Sequence, residues 1–470
     1  MQTNQHNGNG CHHQDRPIFH KDEQSFEDSC KKQYKVKHFQ VRESLLTILF
    51  RKTEMVVVYN VFAAVFVLFF LRALTDDIFT HGKPFYHFWL IGWNFQHFLP
   101  TMLVWSLMFL STFLPFSVFK IWAHAPSKTV STSSQATMTF LYVLYLAAFF
   151  YFPLKFLFLW ELNCACSFII TCETTRISMK LHSFIRENIS SAMTKKTSGA
   201  VVQPGSTTKW PTVEQYVFFM FCPTFIYRDE YPRTNVRCMK TVAKHFIHCF
   251  ILIEFVNLQF TQYVFPWMDS LEYHSLSLLD IALSVFAGIL PGMICLICLF
   301  YGLLHSWLNG FAELLRFGDR QFYMNWWNAD NMAEYYRNWN LVVHDWLYAY
   351  VYRDISQMIG GHRGRQLAQL GVFFLSAAFH EYWFGVALRI LYPVMFMLYF
   401  VAGGLFFSIS KLIKSKSIWN TTLWINLLIG TGMFIAFYGQ EWYARKRCAP
   451  HSNYFIDCVL PRHWTCQRQS

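Results

Sequence analysis

Eight apolar runs, each about the length of a bilayer-spanning helix, constrain this chain more than any other feature. A helix needs about 20 predominantly apolar residues to cross the hydrocarbon core. The runs cover residues 55–74, 85–113, 138–160, 246–267, 278–304, 367–388, 391–409 and 421–437. A ninth and weaker run begins near Cys164 and soon meets Glu173 and Arg176. The sequence therefore predicts an all-α, polytopic membrane protein with about nine transmembrane helices.

Composition excludes a water-soluble alternative. Hydrophobic residues make up 54% of the 470 residues and charged residues only 14%, whereas about a quarter of a soluble domain is charged. The net charge of +12 indicates either positive loops or an anionic cofactor or lipid headgroup. A nucleic-acid-binding function is excluded, because the basic residues are scattered among apolar runs instead of forming one basic surface.

The loops predict the orientation in the membrane. Lys and Arg concentrate in segments 118–136, 174–240, 310–366 and 411–417. The opposite connections are acidic or nearly neutral, with Asp76 and Asp77 in the first of them. Since positive loops stay in the cytosol, we expect a cytosolic N-terminus, and nine spans then place the C-terminus in the lumen. The basic cluster at 445–447 is the one feature that opposes this orientation.

Three regions follow from this pattern. Residues 1–53 are polar and are predicted to form a disordered cytosolic tail. Residues 54–443 are predicted to form the transmembrane domain, with a cytosolic loop at 174–240 and amphipathic interfacial helices at 310–366. Residues 444–470 are predicted to form a lumenal tail, in which Cys448, Cys458 and Cys466 offer the thiols for a disulfide.

His380 is the first candidate for chemistry. It lies with Glu381 inside an apolar run of spanning length, and a charged group at that depth costs roughly 2.5–3.5 kcal/mol on insertion scales. Such residues face a cavity or a partner, so the alternatives are a helix–helix hydrogen bond and a general base whose apolar setting keeps the ring neutral. Ser376, four residues earlier, shares the same helix face.

A second candidate is a polar and aromatic stripe within residues 320–354. Read as one helix, the segment places Arg337, Asn340, His344, Tyr348 and Tyr352 three or four residues apart. By periodicity alone an interfacial helix with aromatic anchors is the better interpretation. The functional interpretation is a cationic, hydrogen-bonding wall for an anionic cofactor that enters from the cytosol.

Several familiar motifs are missing from the sequence. It contains no GxxxxGK[ST] loop, no GxSxG elbow and no HExxH helix, which argues against an ATP-driven pump, a soluble-type hydrolase and a zinc protease. His245 and His248 share a helix face without a complete ligand set, so we predict no metal site.

Two motifs resemble those of the membrane-bound O-acyltransferase family. The first is FYMNWWN, with Phe322, Tyr323, Asn325, Trp326, Trp327 and Asn328, and the second is the intramembrane FHEY at 379–382. Segments such as PTFIYRDEYPRT (223–234) and YYRNWNLVVHDWLYAY (335–350) resemble the sterol O-acyltransferase branch more specifically. The resemblance covers the chain from about residue 180 to the end and implies the fold of that family.

The resemblance also implies roles for individual residues. His380 would match the catalytic histidine of the family, and Asn340 its companion asparagine. Arg337, His344 and Tyr352 would line the path of coenzyme A and its thioester. Arg365 would lie near the phosphates of the cofactor, and Ser376 beside the histidine. Cys448 and Cys466 would match a lumenal disulfide, which leaves Cys458 free.

One residue departs from the family pattern. The family motif usually reads FYxDWWN, and Asn325 stands here at the position of the aspartate. The N-terminal region is also shorter than in the vertebrate enzymes, so we expect a homodimer rather than a tetramer.

The expected activity is the transfer of a long-chain acyl group from acyl-CoA, as co-substrate, to the 3-hydroxyl of a sterol in the endoplasmic reticulum membrane. No permanently bound cofactor is expected. The alternatives are acylation of diacylglycerol or a long-chain alcohol, and a catalytically impaired paralogue that binds lipid. A transporter with polar residues along its pathway would leave the pairing of the two motifs unexplained.

Overall fold

Long apolar helices account for most of the computed structural model of the chain, which describes residues 37–125, 132–197, 210–271, 278–451, 453, 456, 457 and 460–464. Residues His38–Ser470 form one unit. Within the described residues there is no strand, and the only β-type pairing consists of two isolated bridges, Arg42 with Asp319 and Arg233 with Phe317.

The helices of the first half alternate between short connecting pieces and long spans. In chain order they are α1 Leu45–Lys52, α2 Val56–His81, α3 Trp89–Asn94, α4 Phe98–Ser111, α5 Phe113–His124, α6 Thr132–Leu159, α7 Cys164–Thr197, α8 Val213–Phe221, α9 Met239–Gln259 and α10 Phe265–Ser270.

The second half carries the sequence motifs. Its helices are α11 Leu278–Leu299, α12 Leu308–Leu314, α13 Met332–Trp339, α14 Leu341–Leu347, α15 Arg353–Ile359, α16 Gly361–Leu388, α17 Val394–Phe396, α18 Gly403–Ser410, α19 Lys416–Phe434 and α20 Gln440–Arg447. Short π-helical stretches continue several of these helices: Phe260–Val264, Phe300–Trp307, Tyr348–Tyr352, Met397–Ala402 and Ile435–Gly439.

Seven helical segments of the described chain are long and apolar enough to cross a membrane: Val56–His81, Tyr86–His124, Ser133–Leu159, Met239–Ser270, Leu278–Leu314, Gly361–Leu388 and Lys416–Arg447. Each overlaps one predicted run. The run at 391–409 corresponds to the shorter apolar helical segment Val394–Ser410, and the weak ninth run lies in α7. The predicted all-helical membrane architecture is confirmed, and the number nine stays a prediction.

Two segments differ from the loops expected there. The cytosolic loop predicted at 174–240 is helical up to residue 197, because α7 continues through its charged residues. Glu173 accepts hydrogen bonds from Arg176, at 2.6 and 2.8 Å, and from the Trp105 indole at 2.6 Å. The charges neutralise each other, so they do not end the helix.

Asp77 is the second difference. It was expected in an acidic connection, but α2 continues to residue 81 and the Asp77 side chain is buried. Its carboxylate accepts from His87 Nδ1 at 2.5 Å, and His87 Nε2 lies 3.1 Å from Glu254 of α9. Glu254, an isolated carboxyl in the sequence, therefore has a histidine as its polar neighbour.

The predicted disordered tail at 1–53 also ends earlier than expected. Residues 1–36 lie outside the described part, but the chain from residue 38 is folded: residues 41–44 run beside 317–320 and residues 45–52 form α1. Arg42 explains the order, because its guanidinium binds the carboxylate of Asp319 through two bonds of 2.5 and 3.0 Å.

Each residue of the basic cluster at the end of α20 contacts a partner within the protein. Arg445 donates to Glu441 at 2.6 Å, and Arg447 pairs with Asp269. The Lys446 ammonium lies 3.9 and 4.5 Å from the centroids of two tryptophan rings, a cation–π arrangement. Each of the three basic residues therefore has a partner within the protein.

The C-terminal tail packs as a small polar structure. Arg462 forms a two-bond pair with Asp457, at 2.7 and 2.5 Å, and lowers the pKa of Asp457 to about 2. Cys448 is disulfide-bonded. The expected partner Cys466 and the remaining Cys458 lie outside the described residues, so the pairing stays a prediction.

Helices α11 and α19 approach so closely that glycine is required between them. A Cβ atom on Gly292 would lie 2.5 Å from the Thr431 carbonyl oxygen, and one on Gly432 would lie 2.5 Å from the Val285 carbonyl oxygen. Small residues that let helix backbones approach are the usual basis of helix association in membranes.

We expect Gly432→Ala to lower the free energy of unfolding by about 1–3 kcal/mol, because the methyl group forces the two backbones apart. Gly430→Ala is the matched control, since a Cβ at this position of the same helix meets nothing within 4 Å. Thermal unfolding of the two variants in detergent checks the difference, and equal midpoints would contradict the close contact.

Candidate active site

The FYMNWWN loop is held by buried aromatic packing. Phe322, Tyr323 and Trp326 are buried. The ring of Trp326 lies 5.1 Å from that of Phe300 and 4.6 Å from that of Trp339. Trp327 is half-buried, and Asn325 and Asn328 are exposed. The apolar members of the motif therefore form a rigid core and leave its asparagines at the surface.

This loop frames Asn340. The Leu341 backbone N–H donates to the Phe322 carbonyl at 2.8 Å, and the Met324 N–H donates to the Asn338 carbonyl at 2.9 Å. The two bonds join the loop to the backbone on either side of Asn340. The packing of the motif thus determines where Asn340 lies.

Asn340 interrupts the helix predicted within residues 320–354. It has extended backbone angles, φ −147° and ψ 92°, and separates α13 from α14. Its Oδ1 accepts from the Val343 N–H at 3.2 Å, which makes it the N-cap of α14. Its Nδ2 has no hydrogen-bond partner within the described residues. The interpretation as one continuous helix was wrong, because an asparagine side chain competes for backbone N–H groups and favours caps over helix interiors.

Beyond the break, part of the predicted stripe is present. The rings of His344 and Tyr348 are parallel within 13° at 6.3 Å, and those of Tyr348 and Tyr352 within 13° at 5.6 Å. The three rings form a ladder along α14 and the π-helical stretch after it. Arg337 is exposed at the end of α13, on the other side of the break.

His380 lies in α16 with a defined hydrogen bond. Its Nδ1 is 2.7 Å from the Ser376 carbonyl oxygen, and because a carbonyl can only accept, Nδ1 carries the proton. Neutral imidazole then has its free lone pair on Nε2. Ser376 thus contacts the histidine through its backbone rather than through its hydroxyl.

Glu381 serves a different purpose from its neighbour. Its carboxylate accepts from the Phe396 backbone N–H at 3.0 Å and from the Tyr438 hydroxyl at 2.9 Å. It therefore ties α16 to the start of the next helical segment and to the π-helical stretch after α19. Within the described residues, the Glu381 side chain forms no hydrogen bond to His380.

Packing joins the helices that flank Asn340 to α16, the helix that carries His380. Trp346 and Leu347 of α14 pack in the same apolar cluster as Val372 and Leu375 of α16. Tyr336 of α13 lies next to both α16 and α18. Its ring lies 5.0 Å from that of Phe373 in α16, and a Cβ atom on Gly403 of α18 would lie 2.8 Å from its hydroxyl.

Arg365 occupies the second turn of α16 and is exposed. Gly360 and Gly361, with φ of 73° and 58°, begin this helix in a backbone conformation that side chains rarely adopt. An exposed guanidinium here suits an anionic group arriving from solvent.

A polar network behind the loop was missed in the sequence. The Ser44 hydroxyl lies 2.8 Å from the Tyr323 hydroxyl, and the Tyr323 hydroxyl lies 2.7 Å from His305 Nδ1. All three side chains are buried. The available signal was His305 at the end of an apolar run, the same signal that identified His380, whereas nothing near Ser44 indicates contact with residues about 280 positions away.

The sequence was compared with models of known protein families. The profile described as "MBOAT, membrane-bound O-acyltransferase family" matches residues 88–440. The chain belongs to the membrane-bound O-acyltransferase family. Both the FYMNWWN loop and α16, which contains the FHEY motif, lie within the matched range.

Two curated relatives show which members of the family this chain is similar to. The chain is 40% identical over 437 residues to "Sterol O-acyltransferase 1" of Cricetulus griseus, with 92% of this chain and 79% of that protein covered. It is 34% identical over 433 residues to "Sterol O-acyltransferase 2" of Homo sapiens, with 92% and 81% covered.

The contact between Arg42 and Asp319, which joins the N-terminal segment to the residues just before the FYMNWWN loop, is testable. Arg42→Gln leaves the Asp319 carboxylate, whose side chain is 2% exposed, without its cation. We expect a loss of about 2 kcal/mol in unfolding free energy and lower acyltransferase activity. Arg51→Gln is the control, because its pair with Glu43 is exposed on both sides and such pairs contribute little. Thermal unfolding that responds equally in both variants would contradict this role.

Proposed function

We propose that this acyltransferase moves a long-chain acyl group from coenzyme A to the 3-hydroxyl of a sterol, with His380 as general base. The observation that carries the proposal is the Nδ1 bond of His380 to a carbonyl, which leaves Nε2 to accept a proton. The names of the curated relatives support the sterol acceptor.

The reaction proceeds by direct transfer. His380 Nε2 takes the proton of the sterol hydroxyl as its oxygen attacks the thioester carbonyl, and negative charge develops on the carbonyl oxygen. The tetrahedral intermediate expels the coenzyme A thiolate, which recovers the proton from His380. A general base of this kind contributes roughly 10²- to 10⁴-fold.

Asn340 supplies the second element. Its Oδ1 is used by the helix cap, so the side chain is oriented, and its free Nδ2–H can donate to the developing oxyanion. A side chain whose acceptor is engaged and whose donor is available is preorganised for that purpose.

We assign acyl-CoA binding to residues on the cytosolic side of His380 and Asn340. The ring ladder of His344, Tyr348 and Tyr352 offers apolar faces and hydrogen-bonding edges, and exposed Arg337 and Arg365 suit phosphate. Ser376 lies one helical turn before the base. The apolar acyl tail and sterol rings stay away from water if both bind within the membrane.

We place the protein in the endoplasmic reticulum membrane as a homodimer, with the N-terminus cytosolic and the C-terminus lumenal. The summed pattern of the loops outweighs the basic cluster at 445–447, because charges late in the chain usually do not set the orientation. A disulfide at Cys448 suits an oxidising lumen.

Asn325 is compatible with an active enzyme. Its exposed side chain forms no cap bond, and the loop is held by buried rings and by the Trp419 indole, which donates to the Ala329 carbonyl at 2.8 Å. The loop therefore keeps its shape without a charge at 325, which favours activity over the impaired paralogue.

The test is transfer from labelled oleoyl-CoA in membranes, with cholesterol, a plant sterol and diacylglycerol as competing acceptors. We expect steryl ester, and a loss of roughly 10²- to 10⁴-fold in His380→Ala. His124→Ala is a matched control, because His124 also has Nδ1 2.7 Å from the carbonyl four residues earlier but is exposed outside the site. Triacylglycerol as product would overturn the acceptor, and full activity in His380→Ala would overturn the mechanism.

Asn340→Asp separates the two functions of this residue. A carboxylate still caps α14 but cannot donate to an oxyanion, so we expect a folded protein whose kcat is roughly 10²- to 10³-fold lower. Steady-state kinetics checks the kcat, and thermal unfolding checks that the variant is folded. An unchanged kcat in a folded Asn340→Asp variant would limit the side chain to capping.

A further inference from the structure

Two aromatic rings lie next to the imidazole of His380. The ring of Tyr399, from the π-helical stretch after α17, is 4.5 Å away and parallel within 20°. The ring of Trp383, one turn further along α16, is 4.8 Å away at 54°. The imidazole is therefore restrained by the hydrogen bond from Nδ1 to the Ser376 carbonyl and by these two rings.

Trp383 is itself anchored to another helix. Its indole N–H donates to the Thr175 hydroxyl of α7 at 2.9 Å. The Thr175 hydroxyl donates in turn to the Thr171 carbonyl at 3.1 Å, so its oxygen has a lone pair left for the indole. Thr175 is buried, and where water is excluded an indole N–H without a partner is costly.

We propose that Trp383, Thr175 and Tyr399 are positioning residues that hold His380 with Nε2 toward the reacting hydroxyl. This inference rests on the proposed function, in which Nε2 is the base. The Nδ1 bond alone leaves the imidazole free to tilt about the Nδ1–carbonyl contact. Rings packed on it remove that freedom, and a base held in the productive geometry avoids the cost of orienting during the reaction.

The rings also suit the charge that forms. When Nε2 takes the proton, His380 becomes an imidazolium cation, and the faces of tyrosine and tryptophan attract cations. The charged form exists only during the reaction, so this attraction acts on the transition state more than on the resting enzyme.

The hydrogen bond between the two helices is tested by Trp383→Phe and Thr175→Val, which keep most of the volume and remove the donor or the acceptor. We expect each to lower kcat by about 10-fold without a change in the KM for acyl-CoA. Because both residues act through one bond, the double variant is expected to match the single ones. Thr175→Ser restores a hydroxyl and is expected to restore kcat.

Ring packing is tested separately at Tyr399. Tyr399→Phe keeps the aromatic face and is expected to keep kcat, whereas Tyr399→Leu loses it and is expected to lower kcat by about 10-fold. Equal kcat values for the two variants would overturn the role of the aromatic face.

A matched bond elsewhere controls for stability. The Trp122 indole of α5 donates to the Ser134 hydroxyl of α6 at 3.3 Å, the same pair of chemical groups joining two helices outside the site. Trp122→Phe and Ser134→Ala are expected to leave kcat unchanged, with thermal unfolding recorded for all variants. A fall in kcat that follows unfolding temperature in both pairs would reduce Thr175 and Trp383 to structural residues and overturn the proposal.

The inference and the proposed function fail in different ways. Activity that survives in His380→Ala overturns both. If His380→Ala is inactive while folded Trp383→Phe and Thr175→Val retain the parental kcat, the base is confirmed and the positioning role is overturned.

Discussion

A polar group within an apolar helical bundle must find its partner inside the protein, and the rest of this structure depends on that constraint. Water is absent at bilayer depth, so an unpaired charge there is costly. Asp77 and Glu254 flank His87, and Glu173 pairs with Arg176. Each pairing joins residues that the chain could not otherwise keep in an apolar environment, and the first of them links three separate segments.

The same constraint builds the region around His380. A histidine in an apolar span needs an acceptor for its N–H, and the nearest is the carbonyl one turn earlier on its own helix. That local solution selects the tautomer with a free Nε2. Glu381 finds its partners in a neighbouring segment instead, so two adjacent ionisable residues acquire different tasks: one is left with a free lone pair, and the other holds helices together.

Features that depend on local sequence could be predicted, whereas features that depend on contacts between distant residues could not. Spans and the candidate base could be predicted, because length, hydropathy and one histidine at membrane depth are local signals. The break at Asn340 was missed, since the periodicity from Arg337 to Tyr352 fits one helix equally well. The loop that holds Asn340 in place comes from residues 322–324. The folded segment at 38–52 was missed because its order comes from Asp319 and Tyr323, far away in the chain.

By itself, the sequence determined the all-helical membrane architecture, the family, and the residue types available for acyl transfer, because these follow from apolar length and from motifs a few residues long. Only the tertiary structure decided which nitrogen of His380 is free, which end of the Asn340 amide is engaged, and which rings contact the His380 imidazole. Those properties depend on contacts between helices, such as that of Trp383 with Thr175 over 208 positions, and no local pattern encodes the meeting of two distant side chains.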